Sequence, residues 1–85
     1  MPYIVIVQQT AQKQIAKLPL LFQKRVEKIV LGLQTNPRPN GYKKLKGYDN
    51  IYRIRFGTYR IVYSIIDKEL VVYIFDVDHR KDIYR

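Results

Sequence analysis

The sequence predicts a small α+β domain: an N-terminal strand, a helical hairpin, a three-stranded antiparallel meander and a short C-terminal tail. Three observations carry that prediction. Residues 51–56 (IYRIRF) alternate apolar and basic side chains, the period-two pattern of a half-buried strand. Gly57-Thr58 follows as a two-residue turn, with glycine at the first central position as a type II′ turn needs. Upstream, Phe22, Val26, Ile29, Val30 and Leu33 share one stripe at helical spacing, with Lys24, Glu27 and Lys28 on the opposite side.

In chain order, residues 3–7 form a β-branched run that reads as a strand. Residues 8–18 carry Ala11, Ile15 and Leu18 at helical spacing, and Pro19 either ends this helix or opens the next. The second helix spans residues 20–34, making an αα-hairpin with the first. Thr35 to Gly41 contains two prolines and an Asn-Gly, so it reads as a helix stop and loop. Residues 42–50 form a basic connection anchored by Leu45. Strands at 51–56, 59–66 and 70–77 complete the meander, the last two joined by a turn at residues 67–69. The strand at 70–77 is apolar on both faces through Phe75, as suits a central strand, and its register is not set by alternation. The whole of 1–85 is expected to be one domain.

Composition narrows the function classes. The chain is 47% hydrophobic and 13% aromatic, which indicates a folded globule and not a disordered basic tail. It has no cysteine, which removes disulfides, thiolate catalysis and Cys-based zinc sites. No apolar run approaches the roughly 20 residues that span a bilayer, and no signal peptide is recognisable, so a cytoplasmic protein is expected. The formal net charge is +9, and the positive charge is concentrated. Lys43, Lys44, Lys46, Arg53, Arg55 and Arg60 fall within eighteen residues whose only acid is Asp49. Such a concentration implies a polyanionic partner, nucleic acid before membrane.

The hairpin register sharpens that implication. A two-residue turn sets Phe56 opposite Tyr59 and Arg55 opposite Arg60, so Arg53, Arg55 and Arg60 gather on one surface. Like charges placed opposite each other repel, and stability alone does not favour the arrangement. Guanidinium groups bind phosphate through a planar fork and stabilise charge building on a phosphorane. Lys44, Lys46 and Lys81 add basic contacts, and His79 and Tyr84 are the side chains able to move a proton near neutral pH. RNA suits this inventory because its 2′-hydroxyl supplies the nucleophile, and no metal or other cofactor is required. Structural readings stand beside the functional ones. Arg53 and Arg55 fit the solvated face of an edge strand, and Arg60 fits a cross-strand pair with Asp76 or Asp78. Tyr84 fits an aromatic plug, and the lysine run a solvated loop. Metal, glycosidase, P-loop and G-x-S-x-G chemistries find no matching residue sets.

The segments KKLKGYDNIYRIRFGTYRIVYSI and VDHRKDIYR resemble the RelE/ParE superfamily of toxins from bacterial toxin–antitoxin pairs. They are similar to that family's L-x-G, Y-R-I-x-Y and G-H-R-x-x-x-Y patterns, and the element order agrees over nearly the whole chain. The resemblance implies a RelE-like fold and a ribosome-dependent endoribonuclease cutting messenger RNA. In that chemistry the 2′-hydroxyl attacks the adjacent phosphate, leaving a 2′,3′-cyclic phosphate and a free 5′-hydroxyl. It also implies an antitoxin protein, the ribosome and mRNA as partners, with no membrane and no small-molecule cofactor. By the same resemblance Arg53 and Arg55 occupy basic positions on the hairpin's first strand. Arg60 matches the arginine after the turn, Arg80 the arginine of the H-R pair and Tyr84 the tail tyrosine. Some RelE-type members carry lysine where this chain has Arg53 and Arg55. Arginine rarely gives up its proton, so these two suit phosphate binding, and His79 or Tyr84 is left as the proton acceptor. Asp78 stands where glycine is common, so the tail is expected to turn differently. ParE-like members, which poison DNA gyrase, and a nucleic-acid-binding module without catalysis are the alternatives.

Overall fold

Strand-forming and helix-forming stretches separate along the chain, and all but one short strand form where side-chain period places them. The computed structural model describes residues 2–79. The elements are β1 (Ile4–Val7), α1 (Gln9–Ala16), α2 (Leu20–Thr35), β2 (Lys43–Lys44), β3 (Ile51–Phe56), β4 (Tyr59–Ile66) and β5 (Val71–His79). Pro19 lies just outside α2 as its N-cap, at φ −55° and ψ 149°. Its carbonyl accepts from the N–H groups of Phe22 (2.9 Å) and Gln23 (3.0 Å), so the proline opens the second helix. The Gln23 side chain donates back to the Leu18 carbonyl at 2.9 Å and closes the interhelical turn. α2 stops at Asn36, extended at φ −142°, as a residue before proline prefers.

The sheet has five strands in the order β1-β5-β4-β3-β2. The expected meander is its centre: β3 pairs antiparallel with β4, and β4 with β5. Two edges are added. β1 joins β5 in parallel, and the chain between them holds both helices and the other three strands. Lys43–Lys44, inside the stretch expected to be a connection, forms a two-residue strand against β3. β5 is central, and a register shift against Val62/Tyr63 is the irregularity that alternation left unsettled. Asp78 and His79 continue β5 as strand, with no turn before the tail.

Period two then divides the sheet. Tyr52, Ile54 and Phe56 of β3 and Ile61, Tyr63 and Ile65 of β4 are buried, in one cluster with Ala11, Val26 and Leu33 of the helices. Phe22, Ile15, Leu18 and Ile29 pack against that cluster while partly buried. Val72, Ile74 and Val77 of β5 complete it. The helices therefore cover one face, and the other carries the arginines, with Arg60 and Val62 buried there as well. Among the described residues no helix is long and apolar enough to cross a membrane.

Candidate nucleic-acid interface

The site is built on the β3–β4 hairpin. Gly57 has φ +59°, and Thr58 has no positive φ, as a type II′ turn requires. The ladder pairs Phe56 with Tyr59, Arg55 with Arg60 and Arg53 with Val62. Beneath the turn, Phe22 of α2 packs its ring against Tyr59 (5.3 Å between centroids) and Phe56 (6.5 Å). Apolar packing on the covered face thus fixes the backbone that displays the arginines on the other.

The three arginines differ in depth. Arg55 is exposed, Arg53 half-buried and Arg60 fully enclosed at 0% exposure. Arg60 stands between Arg55 and Asp78 in the ladder. Of the two acids expected as its cross-strand partner, Asp78 is therefore the one placed opposite. Asp76 is engaged elsewhere, accepting from the Gln14 side chain of α1 at 2.8 Å. The same Gln14 accepts from the Val77 N–H at 2.7 Å, which ties α1 to the end of β5.

A cavity of about 290 Å³ opens beside the hairpin, lined by Gly41, Lys43, Arg53 and Arg55. Among the described residues the charged lining is Lys43, Arg53 and Arg55, all cations, so its electrostatics select an anion, and its size suits a phosphate with part of its sugar. The position of Lys43 differs from expectation. β2 pairs Lys43 with Arg53 and Lys44 with Tyr52, so the ladder places Lys43 on the arginine face and Lys44 on the reverse. Lys44, a candidate phosphate contact by sequence, thus lies by register on the face opposite the arginines, since one residue of register inverts the face. Lys46 lies past β2 in the turn before β3, at the end of the strand away from Arg55. His79 is placed by its backbone at the end of β5, opposite Tyr59. Arg80, Lys81 and Tyr84 lie outside the described residues. Among the described residues no cluster of three or more potential metal-ligating side chains occurs.

The loop that leads to Gly41 carries a polar cluster. Arg38, in the loop after α2, donates to both carboxylate oxygens of Asp67, at 2.9 and 3.4 Å, and to the Tyr52 hydroxyl at 3.3 Å. The Tyr3 hydroxyl donates to the same carboxylate at 2.7 Å. One residue earlier, the Pro37 carbonyl accepts from Tyr63, whose ring is fully buried, at 2.8 Å. The rings of Tyr42, Tyr52 and Tyr63 form a column with successive centroids 5.9 Å apart. The bond from Arg38, then that from Tyr3, holds the Asp67 carboxyl below its usual range. The bond to Asp67 in turn holds the Tyr3 phenol above its ordinary value, and burial pushes Tyr63 up. Nothing in the local sequence marks Arg38 for this role, since its partners lie far away along the chain.

Comparison with known proteins agrees with this architecture. The family profile described as the ParE toxin of the type II toxin–antitoxin system parDE matches residues 5–84. Toxin RelG of Mycobacterium tuberculosis is 37% identical over 86 residues, covering 100% of this chain and 99% of the relative. The mRNA interferase toxin RelE of Escherichia coli is 29% identical over 83 residues, covering 95% and 86%. Among solved structures, the archaeal RelE–RelB complex of Pyrococcus horikoshii superposes with a TM-score of 0.85 at 29% identity, covering 94% of this chain and 97% of that one. With a match that spans nearly its whole length and a shared strand, helix-pair and meander order, this chain belongs to the ParE toxin family of type II toxin–antitoxin systems, in its RelE-like branch.

Proposed function

We propose that this toxin is a ribosome-dependent mRNA endoribonuclease that uses the RNA 2′-hydroxyl as its nucleophile. The observation that carries the reading is the cavity lined by Lys43, Arg53 and Arg55, with the buried Arg60 opposite Arg55 in the ladder. In the reaction a base takes the 2′-hydroxyl proton, the 2′-oxygen bonds to phosphorus, and the bond from phosphorus to the 5′-oxygen breaks. A proton then goes to that 5′-oxygen, leaving a cyclic 2′,3′-phosphate and a 5′-hydroxyl. Lys43, Arg53 and Arg55 hold the phosphate, and Arg60, opposite Arg55, adds its charge. Preorganised cations of this kind stabilise the charge that builds in the transition state without rearranging. Tyr84 or His79 handles the protons, with Arg80 and Lys81 supplying further positive charge from the tail. Lys44 and Lys46 add long-range attraction to RNA.

The test is single-turnover cleavage of ribosome-bound message, with product ends identified. Tyr84→Phe keeps the ring and removes only the hydroxyl, and proton-transfer roles contribute about 10²–10⁴-fold in rate. Wild-type cleavage by both Tyr84→Phe and Arg55→Ala, or no cleavage by the wild type, would end the nuclease reading.

The partner of the toxin is an antitoxin, as in the RelE–RelB complexes it resembles. Two features suit an acidic amphipathic segment. One is the +9 charge. The other is an apolar groove of about 450 Å³, lined in part by Val7, Ile15, Leu20, Val26 and Val30, beside which Leu20 stands 67% exposed. The family's ParE description favours one second reading, gyrase inhibition. A supercoiling assay separates the two, since a gyrase poison acts without ribosomes.

A further inference from the structure

The Arg38–Asp67–Tyr3 clasp lies on the reverse side of the sheet from the arginines, yet its loop ends in the cavity wall. We propose that this clasp is a positioning device for the phosphate pocket, setting where Lys43 stands relative to Arg53 and Arg55. The inference rests on the reading of that pocket as the RNA site.

Three physical points support it. First, β2 is two residues long and bonded on one side only, to β3. So short an edge strand holds its own position weakly, and its placement must come from what precedes and follows it. The following side is held by one backbone bond, from the Leu45 N–H to the Ile51 carbonyl at 2.9 Å. Second, the preceding side is short and stiff. Four residues separate Arg38 from Lys43, and Pro39 among them has a fixed φ. The Tyr42 N–H donates to the Pro39 carbonyl at 3.0 Å, and Gly41, itself in the cavity wall, sits at φ +92°. A shift at Arg38 therefore reaches Gly41 and Lys43 with little slack to absorb it. Third, the clasp is a poor device for global stability. The Arg38 and Asp67 side chains are 36% and 55% exposed, and ion pairs in such surroundings contribute little to folding. Bidentate geometry on an exposed carboxylate instead gives direction: the guanidinium plane is fixed over the Tyr52 ring, at 5.3 Å from its centroid. Tyr3 and Asp67 thereby act on the pocket through Arg38 and the loop, without touching it.

The experiment exploits a conflict of sign. Asp67→Asn removes a negative charge, raising the formal net charge above +9, so plain electrostatics makes RNA bind more tightly. Positioning makes it bind less tightly. The probe is a short single-stranded oligoribonucleotide with 2′-O-methyl groups, which cannot be cleaved, followed by fluorescence anisotropy at fixed salt. Asp67→Asn is expected to weaken binding roughly twofold to thirtyfold, the range for changes relayed through a packed network. Arg38→Lys, which keeps the charge and loses the fork, should shift in the same direction, and Tyr3→Phe by less. Asp67→Glu should recover part of the loss. Arg55→Ala is the control on the pocket itself. If Arg55→Ala weakens binding while Asp67→Asn and Arg38→Lys leave it unchanged or tighter, the clasp is only a surface tie and the inference is overturned. If Arg55→Ala also leaves binding unchanged, the reading of the pocket fails and takes the inference with it.

Discussion

On one face of the β3–β4 hairpin, Ile54, Phe56, Ile61 and Tyr63 are buried against the helices; on the other, along the same strands, stand Arg53, Arg55 and Arg60. The two faces share a backbone and follow opposite rules. The covered face gains from removing apolar surface from water and from ring packing. The open face brings Arg55 and Arg60 opposite each other, an arrangement that like-charge repulsion disfavours, with Asp78 on the other side of Arg60. The difference teaches that the core face holds the hairpin rigid, and that rigidity is what keeps like charges together before a ligand arrives. Preorganisation of this kind is what an electrostatic site needs.

The comparison can be broken most severely from the covered side. Ile61 is 0% exposed, and Ile61→Ala should cost about 2–5 kcal/mol, the range for cutting an aliphatic side chain from a packed core. Thermal or urea unfolding measures this, and a small domain has little stability in reserve. Activity should fall with it only because less protein is folded.

From the open side the effects should invert. Arg55→Ala should lower single-turnover cleavage by about 10²–10³-fold, the usual loss for one preorganised charge donor. Its melting temperature should stay level or rise, because the Arg55–Arg60 opposition is relieved. A matching loss of stability would show that Arg55 is structural. Arg60→Ala is a less clean probe, since a fully enclosed side chain opposite Asp78 cannot be removed without disturbing packing and charge together.

A smaller effect tests which face β2 presents to the ligand. Lys43→Ala should flatten the dependence of log affinity for single-stranded RNA on log salt by about 0.7, the value of one phosphate contact. Lys44→Ala, placed opposite Tyr52 and acting only at long range, should flatten the slope by less. Equal slopes for the two variants would mean that the strand register does not govern RNA contact.

The smallest effect belongs to the clasp and appears as pH dependence. Asp67 faces Arg38 and Tyr3, and its folded pKa is held below the ordinary 3.8. Its contribution is therefore present above that value and lost as pH falls through the depressed folded pKa. Tyr3 is held above its ordinary 10.0, so its contribution is present below that value and lost only at more alkaline pH. The stability difference between wild type and Asp67→Asn should be flat near neutrality and shrink on acidification. A difference that grows in acid would reverse the sign and exclude the pair as its source.

Much of this was legible in the residues themselves. Alternation through IYRIRF and the Gly-Thr turn fixes the Arg55–Arg60 pairing, because hairpin register follows from turn length. The 3.6-residue stripe from Phe22 to Leu33 marks the buried side of α2, where Val26 and Leu33 are enclosed. These are local periodicities, and a single chain segment displays them. Three matters were settled only by tertiary structure. β1 pairs in parallel with a strand more than sixty residues away, and no local pattern names that partner. That Lys43 and not Lys44 shares the arginine face was hidden because a two-residue edge strand has no alternation long enough to reveal its phase. Arg38 meets Asp67 across 29 positions, and reads in the sequence as an ordinary loop residue between two prolines. Periodicity reports which way a side chain faces relative to its own neighbours. Which distant groups it then meets depends on how whole elements pack, and that is decided by the fold.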